Sequence, residues 1–440
     1  MPIAATTRRR LVAGIAATLI MLPARTRGQT RGAADDNGFR LLRAGLVAVG
    51  SHAATLSGYD GASPGPVLRV KRGEEIRLRL INELSSDTSL HWHGVRVPNA
   101  MDGVPHLTQP PVPPGASFDY RFVAPDAGTF WYHAPASEPA GLHGALVVEE
   151  IVPVQVDRDV LLVLADPPRP LGSSEPAAGS NRDLADEGRT PSVNGTPSLD
   201  VPVRANERLR LRLINASHIR PLSLRLDRHR ATVMAIDGQP AEPFAARDNR
   251  VGLGPGNRLD LFVDMVLAPG ATASAFVARE SAEMPLVRFI YDADPPLRTA
   301  PLPEPKPLPA NGLPARIDLR SALRLDLPID KAARQWTEAA AAASGRYGPP
   351  LFSTRRGRPV AIACVNRTDH AAALHLHGHH ARLLDNLDDG WKPYWLDTIM
   401  AGGRQTTRIA FVADNPGKWL ISCRILGKEG TAMATWFEVT

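Results

Sequence analysis

At 440 residues the chain is long enough for about three domains of roughly 150 residues, each with a core of its own. Hydrophobic residues at 43% against charged residues at 22% exclude a disordered chain, and 36 Gly with 41 Pro point to turns and short strands, hence to an all-β protein. The net charge of +6 sits at the N-terminus: residues 1–28 hold five Arg and no acid, the remaining 46 Lys and Arg face 45 acids, and nothing favours nucleic-acid binding.

Arg8, Arg9 and Arg10 precede the twelve-residue apolar run Leu11 to Leu22. That run is short for a bilayer span and reads as the apolar part of an export signal over residues 1–28, with an uncleaved anchor as the alternative. Thr7-Arg8-Arg9-Arg10-Leu11-Val12 resembles a twin-arginine signal, so the protein is expected in the periplasm, with no stable membrane span after signal cleavage. Residues 40–150 follow, with Val67-Leu68-Arg69-Val70 and Ile76-Arg77-Leu78-Arg79-Leu80-Ile81-Asn82 alternating apolar and polar around a Gly turn, the pattern of half-buried strands. Residues 155–293 repeat it in Leu209-Arg210-Leu211-Arg212-Leu213-Ile214-Asn215, and residues 315–440 do so less regularly in Val360 to Asn366, so the three blocks read as related domains. Between the second and third, residues 294–314 are Pro-rich and read as an extended linker over the surface. The Ala-rich segment Trp336 to Ser344 reads equally as a short helix or an insert. Of the two cysteines, Cys364 lies in an apolar run of strand length and reads as a core thiol, and no disulfide framework is implied.

Alternate residues of a strand share a face, so His91-Trp92-His93-Gly94 and His375-Leu376-His377-Gly378 each present two imidazoles side by side. Neutral imidazole is a good ligand for copper and zinc. Two such pairs, in the first and last blocks, point to one shared metal site.

With Pro64 to Gly73, Asp102-Gly103-Val104-Pro105, Gly128-Thr129-Phe130-Trp131-Tyr132-His133, Val193-Asn194-Gly195, Asp237-Gly238, Trp395-Leu396-Asp397-Thr398 and Phe411 to Trp419, these motifs resemble the multicopper oxidase (laccase-like) family over nearly the whole mature chain. The resemblance implies three cupredoxin-like Greek-key β-sandwich domains, a trinuclear copper cluster between the first and third, and a blue copper in the third. In that family the blue copper takes electrons from a substrate and the cluster uses them to reduce dioxygen to water.

Carried over residue by residue, the resemblance leaves both sites incomplete. His91 and His375 stand at the type 2 positions; His93 and His133 stand at one type 3 position, whose third ligand position is taken by Arg424; His377 stands at the other, with Pro135 and Ser422 in place of its partners. At the blue-copper site Cys423 and Met433 persist, while Ala372 and Lys428 replace the two histidines. A trigonal copper site needs imidazoles beside the thiolate, so Cys423 and Met433 are residual positions unless His370 slips into register. Asp102 matches the family's acidic residue that assists protonation of reduced oxygen, although Asp-Gly is also an ordinary turn. His379 reads as a structural or outer histidine, His143 and His380 as non-ligands, and Trp92, Trp131 and Trp419 as core or site-wall residues.

Three functions remain open at this point. The retained histidines favour a partial site for about one copper or zinc ion. Arg424 and Lys428 favour a metal-free periplasmic scaffold for protein contacts, similar to the family's copper-free cell-division member. An active laccase-type oxidase is opposed by the ligand count. The partner is accordingly an unidentified periplasmic protein or a small molecule.

Overall fold

The computed structural model describes residues 34–49, 54–135, 141–166, 190–278, 282–330, 332–333, 335–338, 347–384, 392–427 and 432–440. The export signal, Lys428 and residues 339–344 of the Ala-rich segment lie outside them, while Thr337–Glu338 is a short strand. Among the described residues the regular elements are strands and short 3-10 turns, with no α-helix.

Two four-stranded sheets form the first sandwich. One orders Ala54–Tyr59, Arg40–Val49, Glu75–Asn82 and Ser117–Val123; the other orders Leu68–Lys71, His143–Glu149, Gly128–His133 and His91–His93. In Glu75–Asn82 the apolar Ile76, Leu78 and Leu80 are buried and the intervening arginines are half-buried, as their alternation dictates. A six-stranded and a five-stranded sheet make the second sandwich. In the third, Leu323–Ile329, Arg358–Asn366, Thr406–Ala413 and Arg382–Leu383 face a sheet in which Thr337–Glu338, Ala432–Val439, Gly417–Ile425, Ala372–Leu376 and Thr398–Ala401 follow one another.

The kinship of the three blocks is visible in their wiring. In each, an early strand pairs in parallel with the strand that carries the repeated pattern: Arg40 opposite Leu78, Arg158 opposite Leu209, Leu323 opposite Val360. The asparagine closing that strand has one job in all three. Asn82, Asn215 and Asn366 each accept from the backbone N–H two residues on, at 3.0–3.1 Å, and donate to two carbonyls of the loops that return to it. A buried amide satisfied in this way fixes the strand exit without leaving an orphaned polar group.

One expectation fails in the second domain. Arg208–Asn215 is buried on both faces, not half-buried. Its arginine face lies against the first domain: Arg210 and Arg212 share Asp260, and Arg212 also donates to Thr129 of Gly128–His133 at 3.0 Å. The alternation reads correctly as one apolar and one polar face, but another domain covers the polar one. The Pro-rich stretch is likewise not wholly superficial, since Leu308 and Asn311 are buried and Asn311 bonds both Ala127 and Gln239 at 2.9 Å.

The first and third sandwiches share a continuous apolar core that includes Trp92, Phe122, Trp419 and Phe437. That shared packing brings the two His-x-His strands face to face.

Candidate metal centre

In the first domain, His91–His93 pairs with Gly128–His133 so that His91 lies opposite His133. In the third, Ala372–Leu376 pairs with Gly417–Ile425, placing His375 opposite Ser422 and Ala373 opposite Arg424. The glycine after each histidine pair is a space requirement. Gly94, at φ +83°, leaves room for the Arg258 guanidinium and the Asp397 carboxylate, and Gly378, at φ +63°, lies flat on the Trp419 ring.

His91, His93, His133, His375 and His377 converge in one cluster between the two domains, four of them buried and His133 half-buried. His91 Nε2 faces His375 Nε2 at 3.0 Å, and His93 Nδ1 faces His133 Nε2 at 3.2 Å. Each ring's other nitrogen is committed to an acceptor. His91 Nδ1 donates to the Asp102 carbonyl (2.8 Å), His375 Nδ1 to the Asp397 carbonyl (3.1 Å), His133 Nδ1 to the Ala134 carbonyl (2.6 Å) and His377 Nδ1 to the Asp102 carboxylate (2.9 Å). His93 Nε2 donates to Thr398 Oγ1 at 2.8 Å, because that hydroxyl itself donates to Asp397. The outward partners therefore fix the tautomers and leave the facing nitrogens of His91 and His375, and of His93 and His133, as inward lone pairs, the arrangement that metal-binding histidines adopt.

Asp102 and Asp397 brace the two domains reciprocally. Each uses its backbone carbonyl for a histidine of its own domain, while its carboxylate, in Asp397's case through Thr398, serves a histidine of the other. Burial opposes the ionisation of Asp397, yet the Arg258 guanidinium, 2.7 Å away, holds it well below the usual carboxylate range. Asp102 is also held low against the cost of burial, and among the described residues its charge meets only His91 and His377. Burial pushes four of the histidines the other way: His93, His133 and His375 are lowered and His377 is pushed down to about 3, so these four are neutral and ready to ligate near pH 7.

Two donor groups that share His91 are close enough to hold a metal ion. Ligand-capable atoms of His91, His93 and His375 lie within 4.8 Å of one another, as do those of His91, Asp102 and His377. Beyond these the cluster thins: Pro135 and Ser422 offer no imidazole, and Arg424 lines the same cavity. The Arg424 guanidinium turns toward the second domain and donates to His218 Nδ1 at 3.0 Å and to the His218 carbonyl at 3.2 Å. Burial lowers Arg424 to about 10, which leaves it charged at neutral pH.

The blue-copper positions do not fit. By the pleat, Cys423 and the opposing Met433 turn to the sandwich interior, the face away from His375. Ala372 there is fully buried, and Cys423 belongs to no cluster of metal-capable side chains among the described residues. Burial pushes both thiols up, Cys364 to about 12, so neither supplies a thiolate at neutral pH.

Of the other residues singled out, Trp131 walls the site, 4.2 Å between centroids from His133, and Trp92 lies in the core against Tyr120 and Phe122. His379 packs among Phe411, Trp419 and Phe437. His380 faces Asp397 at 3.4 Å, outside the inward ring of lone pairs. Arg258, Thr398 and His218 carry roles beyond the residues expected from sequence; Asp397 and Thr398 lie in Trp395-Leu396-Asp397-Thr398, whereas Arg258 and His218 have no local signal.

His143 and His379 are fully enclosed, and burial holds both down to about 4. The unfolded chain takes up these protons near pH 6.5, so their stabilising contribution is complete above that pH and drains between 6.5 and about 4. Metal-free protein is expected to lose about 2 kcal/mol per group by pH 5. Urea midpoints between pH 7 and 5 read this directly, and a flat profile contradicts it.

A three-domain β protein with a histidine cluster between its first and third sandwiches is the class that this fold and site define. Multicopper oxidase family models match residues 44–152, 173–279 and 316–440. Over 431 residues, 86% of this chain and 82% of the relative, the sequence is 27% identical to multicopper oxidase MmcO of Mycobacterium tuberculosis. A multi-copper oxidase structure from Pseudomonas thermotolerans is similar at TM-score 0.79 and 32% identity, over 91% of this chain and 98% of that one. Lac15 from a marine microbial metagenome is similar at TM-score 0.73 and 31% identity, over 91% and 99%. The chain belongs to the multicopper oxidase family, and its three sandwiches are cupredoxin-like.

Proposed function

We propose that this protein keeps a single metal position, for copper or zinc, centred on His91 and His375, and does not carry out four-electron oxidase chemistry. The observation that carries this reading is the opposition of two Nε2 lone pairs at 3.0 Å beside Asp102, a buried carboxylate without an arginine or lysine partner among the described residues. Lone pairs facing at that distance repel, and a cation between them turns the repulsion into ligation. A bound copper or zinc ion supplies Lewis acidity there, and copper also a one-electron centre. His93, His133 or His377 completes three or four ligands, while Asp102 and Asp397 hold the rings in place. Among the described residues Cys423 joins no group of metal-capable side chains, which supports the lack of a route for electrons from outside.

Metal content after copper and zinc loading, measured by mass spectrometry, tests the reading: about one ion per chain is expected. The copper-loaded protein is also expected to lack the intense blue thiolate absorption, and a strong blue band overturns that part. The second reading, a metal-free scaffold for protein contacts, is favoured by one observation, the charge of Arg424 beside the cluster. Complete failure to load selects it.

Export to the periplasm by the twin-arginine route belongs to the same proposal, supported by Thr7 to Val12. Among the described residues no helix is long and apolar enough to cross a membrane. Replacing Arg8, Arg9 and Arg10 together by Lys is expected to leave the protein in the cytoplasmic fraction; unchanged export contradicts the route.

A further inference from the structure

Beside the imidazoles lies a cavity of ≈ 500 Å³, within the size range of small-molecule sites. Short side chains make the space, since Ala373 and Ser422 stand on the strands that also carry His375 and Arg424. Its lining is apolar along Val104, Tyr347 and Leu420, and cationic at Arg424.

Arg424 is the anomaly of this cavity. Its Nη1 is used by His218, a neutral partner, and among the described residues no carboxylate pairs with it and no acceptor takes its Nε or Nη2. A half-buried guanidinium whose charge meets only neutral acceptors carries a desolvation cost, and the cost is offset when an anion arrives. The planar fork of N–H donors matches a carboxylate in two parallel hydrogen bonds. Position and surroundings then limit the anion, because an apolar wall next to a cation favours a ligand with an apolar body and one charged end.

We propose that this cavity binds a small organic carboxylate, its charged end on Arg424 and its apolar body among Val104, Tyr347 and Leu420. The site needs no metal, so it stands or falls separately from the metal position proposed above.

Titration of metal-free, full-length protein with benzoate, followed by calorimetry and by fluorescence of Trp131 in the cavity wall, provides the test. One benzoate per chain is expected, with the isosteric neutral benzamide and inorganic phosphate each binding at least about tenfold more weakly. Arg424→Gln is expected to weaken benzoate by at least about tenfold. Ala373→Leu, which fills space beside Arg424 without touching its charge, weakens it as well and decides the question should Arg424→Gln fail to fold. No benzoate binding by the unmodified protein, equal binding of phosphate, or benzoate binding unaffected by both substitutions overturns the proposal.

Discussion

Replacing His91 and His375 together by alanine is expected to take metal binding from about one ion per chain to none. The two Nε2 atoms are 3.0 Å apart, and each ring is locked through Nδ1 by a backbone carbonyl, so these rings present their lone pairs without reorganisation. The second pair, His93 with His133, remains in the variant, but it lies closer to the charge of Arg424, which is among the influences lowering His133. A divalent ion placed between two imidazoles and facing a guanidinium gains little. Cys423→Ala, changing a thiol on the opposite face of the strand, is expected to leave metal content unchanged. Mass spectrometry of loaded and desalted protein reads both variants. Three or four coppers in the unmodified protein, or undiminished binding by the double variant, sinks the single-site reading.

How far the sequence alone reaches is decided by range. The His-x-His pairs were legible because strand alternation is local: two residues apart is enough to put His91 with His93, and His375 with His377, on one face. The all-β fold was legible for the same reason, and so was the kinship of the blocks, whose closing asparagines Asn82, Asn215 and Asn366 bond the same way. What depends on another domain was not. Arg210 and Arg212 look solvent-facing until Thr129 and Asp260 enclose them. The sequence places Arg424 at a ligand position, but only the second domain shows the guanidinium drawn to His218. Loss of ligands can be counted in a sequence, whereas the cavity left behind cannot, because its size depends on how far the walls close. Arg258 shows the same limit most clearly, standing in an ordinary alternating strand with nothing local to mark it.

Arg258→Met is expected to cost about 3–5 kcal/mol of stability, among the largest effects of any single change away from the histidines. Arg258 and Asp397 are both fully enclosed, and the guanidinium meets the carboxylate with Nη1 at 2.7 Å and Nη2 on the second oxygen. Asp237 stands at 3.5 Å from the same guanidinium and also accepts the Arg258 backbone N–H, so one cation balances two buried carboxylates. Burial and the neighbouring charge of Asp397 already push Asp237 up to about 6. Without the guanidinium two negative charges are stranded in a medium that solvates them poorly, and the loss is set by that stranded charge more than by the two hydrogen bonds. Asp397→Asn in the Arg258→Met background is therefore expected to recover part of the loss, since it removes one of the orphans. The same reasoning links the pair to the metal centre: Asp397 anchors Thr398, which holds His93, so Arg258→Met should also weaken metal binding, and adding Asp397→Asn in that background recovers less of the binding than of the stability. Urea unfolding of the three proteins, with metal content measured alongside, separates the two effects. A loss below about 1 kcal/mol for Arg258→Met, or no recovery in the double variant, shows that solvent reaches Asp397 and that the ion pair is not what joins the second domain to the site.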